Sequence, residues 1–132
     1  MLSSGDPDRR VTALLFDRND KLIGKRSKRL LKAQLPRDSR ERSSRKTGQK
    51  YFWIEHAERR VILKALGHGI NLDGGAIVVS LFPCSDCARA IIQSGITKVA
   101  APRISSLEER HLQTMTVARD ILLASNIAIE YA

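Results

Sequence analysis

The chain has 132 residues, 42% hydrophobic and 28% charged, enough to bury one core and too few for two. No run approaches the roughly 18 apolar residues of a membrane span, and Met1 to Arg10 is polar and acid-bearing, unlike a secretory signal. The expectation is therefore one cytoplasmic domain over residues 1–132, with no membrane partner. The formal net charge of +9 is concentrated between Lys25 and Lys50; it suits an anionic partner, or serves only to keep the protein soluble. Two cysteines, three residues apart, exclude a disulfide framework and point to metal or redox chemistry.

Val11 to Phe16 and Lys21 to Gly24 read as short strands joined by an Asp17–Asp20 turn. Lys25 to Gln49 is basic and polar, so a long loop, about 25–50, is expected there. Helical spacing runs from Tyr51 to Leu66, with Ile54, Ala57, Val61, Ile62, Ala65 and Leu66 on one apolar face. Gly67 and Gly69 end it. Asp73-Gly74-Gly75 is a turn before a buried strand, Ala76 to Phe82, which Pro83 breaks. Cys84 to Gln93 reads as a helix closed by Gly95, and Thr97 to Ala101 as a strand ended by Pro102. Ser106-Leu107-Glu108-Glu109 has the form of a capping box opening a helix to about Ala124, followed by a strand from Ile127 to Tyr131. The order β-β-α-β-α-β-α-β implies an α/β fold with a central mixed five-stranded sheet covered by helices, parallel in its second half.

His56-Ala57-Glu58 falls inside the predicted helix, and Pro83-Cys84-Ser85-Asp86-Cys87 at a strand-to-helix junction. One imidazole and two thiolates suit Zn²⁺ and leave the fourth tetrahedral position to water, the arrangement of a catalytic site. The start of the second helix favours thiolates at Cys84 and Cys87. Glu58, two residues beyond His56, is close enough to exchange a proton with a metal-bound water without itself being a ligand. A redox pair or half a zinc knuckle would explain Cys84 and Cys87 but gives His56 and Glu58 no role. The joint pattern, H-x-E with P-C-x-x-C, is that of zinc deaminases.

At these residues the chain resembles the cytidine and deoxycytidylate deaminase superfamily. Leu35-Pro36-Arg37, the charged loop, and Lys50-Tyr51-Phe52-Trp53-Ile54-Glu55-His56-Ala57-Glu58 are similar to the deoxycytidylate deaminase branch, as is Cys87 to Ile96. The resemblance covers about Val11 to Tyr131. It implies a three-layer α/β/α cytidine-deaminase-like fold, one zinc per chain held by His56, Cys84 and Cys87, Glu58 as proton shuttle, and a homo-oligomer. Ala57 and Pro83 are implied to contact the base. The chain departs from the family at Leu31-Lys32-Ala33-Gln34, where an Asn that orients the sugar is usual, and at Arg60, where Asn is also common.

Arg37, with Arg40, Arg42, Arg45 and Lys46, matches phosphate oxygens, or forms a solvated basic loop. Trp53 stacks on the ring or packs in the core. Arg59 and Arg60 face solvent or a subunit contact, and His68 and His111 are surface residues. The function expected is hydrolytic deamination of a deoxycytidylate-like nucleotide. The alternatives are a base within RNA or DNA (tRNA adenosine type), a free or modified base, or a zinc-stabilised scaffold; Glu58 argues against the last. The basic loop would grip a polynucleotide in a salt-dependent way, but the chain lacks interleaved aromatics for stacking single strands.

Overall fold

A computed structural model of the chain describes residues 11–27, the backbone of 29–30, and residues 54–132. Strand β1 (Thr12–Phe16) alternates half-buried and buried side chains and pairs antiparallel with β2 (Leu22–Ser27). The turn between them is built by Asp17, whose carboxylate accepts the amides of Asn19 at 2.8 Å and Lys21 at 3.0 Å, as short acidic side chains do in turns. β2 runs three residues past the expected Gly24, because Lys25, Arg26 and Ser27 keep register with Leu14, Ala13 and Thr12. Basic side chains are at home on such an edge strand. Two further short strands, β3 (Arg29–Leu30) and β4 (Ile54–Glu55), pair antiparallel.

This second pairing corrects the helix expected from Tyr51. Ile54 and Glu55 are extended, His56 is the N-cap with φ −70° and ψ 150°, and α1 spans Ala57–Gly67. Ile54 is buried as expected, but from a strand. On α1, Ala57, Val61, Ile62 and Ala65 are buried, whereas Leu66 is 44% exposed and leaves the expected apolar face. Gly69, at φ 74°, turns the chain so that the Ile70 amide reaches Ala65 O at 3.1 Å, a helix stop that glycine permits without strain.

After the Asp73-Gly74 turn, β5 covers Ala76–Val79, shorter than expected, although Ser80 still bonds to Thr12 through both backbone and hydroxyl. Helix α2 (Ser85–Gln93), strand β6 (Lys98–Ala101), helix α3 (Glu109–Ala124) and strand β7 (Ala128–Tyr131) follow. The capping box at Ser106 does not form. The Ser106 hydroxyl accepts the Glu108 amide, two residues on, at 3.1 Å, and Glu108 is the N-cap of α3. A local serine turn thus outcompetes the box and delays the helix.

The sheet has the order β2-β1-β5-β6-β7, antiparallel at β2/β1 and β1/β5 and parallel at β5/β6 and β6/β7. This is the mixed five-stranded sheet expected. Ala13, Leu15, Ile77, Val79, Val99 and Ala101 alternate onto one face and share a core with the buried sides of α1, α2 and α3. The described residues thus supply the sheet and one helical layer of the expected α/β/α arrangement. Fully burying a side chain the size of Leu15, Ile77, Ile91 or Leu122 contributes about 1.5–3 kcal/mol. No helix among the described residues is long and apolar enough to cross a membrane.

Candidate metal centre and buried carboxyl

The parallel half of the sheet directs the chain from β5 into α2 at its carboxyl-terminal edge, where ligand sites in α/β sheets collect. Phe82 and Pro83, both fully buried, carry the chain from β5 to Cys84. Cys84 is the N-cap of α2, extended at φ −78° and ψ 172°, and its sulfur accepts the Cys87 amide at 3.5 Å. Cys87 lies in the first helical turn, its side chain buried. The start of α1 meets the start of α2 here. His56 Nδ1 lies 3.5 Å from Cys84 Sγ and 3.4 Å from Cys87 Sγ.

The three ligand atoms all fall within 4.8 Å of one another, and they form the only such group among the described residues. Tetrahedral zinc with bonds of about 2.0–2.3 Å separates its ligands by about 3.3–3.8 Å. The His56–Cys distances therefore fit that ion, and two sulfurs with one nitrogen are donors it favours.

The two thiols are electrostatically unequal. The hydrogen bond from Cys87 and the neighbouring His56 lower Cys84 to about 4, against the cost of burial. Cys87, as donor in that bond and buried, is pushed well above the ordinary range. The pair thus holds one thiolate ready for a cation before any metal arrives.

Glu58 is the only buried charged side chain among the described residues, 4% exposed. Burial raises its carboxyl above the ordinary value; His56 and a hydrogen bond with Cys87 partly oppose this, while the Cys84 charge adds to it. A buried carboxyl whose charged form is disfavoured, beside a candidate metal centre, is placed to exchange a proton with a group bound there.

The other expected site residues divide. Ala57, in the first turn of α1, and Pro83 adjoin the cluster in sequence, and both are fully buried. Arg37 and Trp53, and the cluster Arg40, Arg42, Arg45 and Lys46, lie outside the described residues. Arg59 is paired with Glu55 at 2.8 Å, and Arg60 donates to Ser27 O, tying α1 to the end of β2. His68 is exposed, as expected. His111 is only partly at the surface: its side chain is 13% exposed and lies 3.7 Å from Glu108.

A groove of about 660 Å³ between α1 and α2 touches the cluster only at His56; Glu58 and both cysteines are absent from its walls. Sequence reasoning missed Thr114 of α3, whose hydroxyl accepts the Ser85 amide between the two cysteines at 2.9 Å. No local pattern signals a contact across 29 residues.

The model of the cytidine and deoxycytidylate deaminase zinc-binding region matches residues 3–102. The deoxycytidylate deaminase of Pongo abelii is 32% identical over 100 residues, which are 73% of this chain and 54% of that protein. That of Enterobacteria phage T2 is 50% identical over 44 residues, 33% of this chain and 23% of the relative. The chain thus spans between about a quarter and a half of the length of these curated relatives. In fold it is similar to the dCMP deaminase of cyanophage S-TIM5, solved in complex with dCMP and dUMP. The TM-score is 0.73 at 19% identity, covering 98% of this chain and 85% of that one. With its sheet, its His-Cys-Cys cluster and the matched region in agreement, the chain belongs to the cytidine and deoxycytidylate deaminase family.

Proposed function

We propose that the protein is a zinc-dependent hydrolytic deaminase that converts the amine of a deoxycytidylate-like nucleotide to a carbonyl with release of ammonia. The observation that carries this reading is the buried carboxyl of Glu58 beside the His56-Cys84-Cys87 cluster. A structural zinc site needs a fourth protein ligand and has no use for a buried acid that is not one. The deoxycytidylate relatives and the neighbour solved with dCMP and dUMP support the nucleotide.

In this reading His56, Cys84 and Cys87 hold the zinc. When bound, zinc supplies a Lewis acid that brings the pKa of a water toward neutrality. Glu58 accepts the proton that the attacking water loses as its oxygen bonds to the amine-bearing ring carbon. The carboxyl returns that proton to the adjacent ring nitrogen. A second proton, from the new hydroxyl, passes through Glu58 to the exocyclic nitrogen, the carbon–nitrogen bond breaks, and ammonia leaves as the carbonyl forms. Burial assists the first transfer, because it disfavours the charged form of Glu58 and so favours its taking a proton. Ala57 and Pro83 border the ring, and Arg37 and Trp53 bind phosphate and base. Leu63 and Leu66, 49% and 44% exposed on α1, support a homo-oligomer. Thiols that remain unoxidised to function support a cytoplasmic setting.

The test is ammonia release from dCMP, with cytidine, cytosine and adenosine monophosphate as competitors. Conversion of dCMP to dUMP, faster than any other substrate, is the expected result. Turnover of the free base but not of the nucleotide would reassign the substrate.

A further inference from the structure

Helix α2 has an unusual cap. The side chain at an N-cap ordinarily satisfies an amide of the first turn through oxygen, but here that position is Cys84, a sulfur that is a weak acceptor and is also claimed by the candidate metal centre. Its bond to the Cys87 amide is correspondingly long, 3.5 Å. The first amide of the helix, Ser85 N–H, is instead taken by another element. Thr114 of α3 accepts it at 2.9 Å, and the same hydroxyl donates to Ser85 Oγ at 3.0 Å. Ser85 is bonded to Cys84 and lies between the two ligand cysteines, so the clamp fixes the backbone that aims both sulfurs. α3 is well placed to do this, because it packs along α2 and its Met115 and Ala118 are buried in the common core.

We infer that Thr114 is a positioning residue for the metal centre, holding Cys84 and Cys87 in ligand geometry through its two hydrogen bonds to Ser85. Thr114 touches neither metal nor substrate. Its role is that of the outer partners that orient metal ligands, whose loss weakens metal affinity about 10–100-fold. The inference rests on the zinc reading proposed above.

Zinc affinity is measured by chelator competition on the full chain, and ligand geometry by the thiolate–cobalt absorption of the Co²⁺-loaded protein. Thr114→Val keeps the shape of the side chain and removes the hydroxyl; it is expected to weaken zinc binding about tenfold and to shift the cobalt spectrum. Thr114→Ser restores the hydroxyl and is expected to restore both. Ser85→Pro tests the same bond from the other side. Proline is tolerated at the first helical position, and the extended Cys84 accommodates a following proline. In that background Thr114→Val should cost nothing further, since its partner is already gone. Three results would each overturn the inference: zinc affinity unchanged in Thr114→Val, Thr114→Ser as weak as Thr114→Val, or equal losses from Thr114→Val with and without Ser85→Pro. An unsubstituted protein that binds no zinc at all would instead remove the reading of the site itself.

Discussion

Cys87 Sγ lies 3.4 Å from His56 Nδ1 although 31 residues separate them in the chain. Two helix starts achieve this: His56 precedes α1 from the end of β4, and Cys87 sits in the first turn of α2. The contact is made by the fold, so the metal centre and the packing of α1 against α2 are tested together.

Removing a ligand removes the metal. Cys87→Ala is expected to lower bound zinc from one per chain to a trace, and ammonia release by more than about 100-fold, beyond the loss typical of an outer partner. Metal analysis of the purified variant checks this. Zinc retained at full stoichiometry would exclude Cys87 as a ligand.

Glu58 separates chemistry from metal binding. Glu58→Gln preserves shape and burial but cannot shuttle a proton. Zinc content should stay at one per chain while turnover falls by about 10²–10⁴-fold, the usual contribution of a positioned acid–base group. Parallel metal and rate measurements decide it, and a variant within a few-fold of normal activity would assign the proton to another group.

The same residue sets a pH dependence. Burial raises the folded carboxyl above its ordinary 4.5. Above that pH the unfolded chain releases the proton while the folded chain retains it, so stability falls with rising pH until the folded carboxyl also ionises. Glu58→Gln lacks this loss. In denaturant unfolding of the metal-free protein, the variant should gain on the unsubstituted chain over the range that begins at the ordinary value of 4.5 and ends where the folded carboxyl ionises. A constant difference across that range would contradict a raised Glu58.

Cys84 and Cys87 should differ in reactivity when metal is absent. With Cys84 near 4, its thiolate fraction is full from pH 6 to pH 8, whereas an ordinary thiol gains about 100-fold in thiolate over the same span. Iodoacetamide should therefore modify Cys84 at a nearly pH-independent rate, leave the buried Cys87 largely intact, and modify neither once zinc is bound. Peptide mapping reads the outcome; preferential labelling of Cys87 would reverse the assignment.

Gly75 admits no side chain. An added methyl would meet Phe16 O at 2.5 Å and Leu72 O at 3.0 Å, both backbone atoms. Gly75→Ala should therefore destabilise the protein by about 1–3 kcal/mol, the usual cost of forced overpacking. An unchanged unfolding midpoint would show that the backbone where β1 meets β5 yields more easily than its hydrogen bonds imply.

What the sequence disclosed depended on range. The run Ala76-Ile77-Val78-Val79 and the Asp73-Gly74-Gly75 turn declare β5 because side-chain period and turn chemistry are local. His56, Cys84 and Cys87 were legible because a metal site demands those donor types at short local spacing, and Glu58 because an acid two residues from such a donor falls beside the site. The true start of α1 was not legible, since Ile54 fits a helical face and only pairing with the distant Leu30 makes it a strand. Ser106 failed as a cap for a related reason: its hydroxyl has two local uses, and the sequence does not rank them. Thr114 carries no motif at all, and its contact with Ser85 exists only once α2 and α3 pack. Arg37 and Trp53, which would identify the nucleotide, lie outside the described residues.

The most direct test of the central claim pairs zinc content with product on one preparation. The unsubstituted protein should carry one zinc per chain and convert dCMP to dUMP with one ammonia released per turnover. It should lose that activity on chelation and regain it with added Zn²⁺. Protein that holds one zinc per chain and releases no ammonia from any aminated base, nucleoside or nucleotide would contradict it, as would turnover that survives complete removal of the metal.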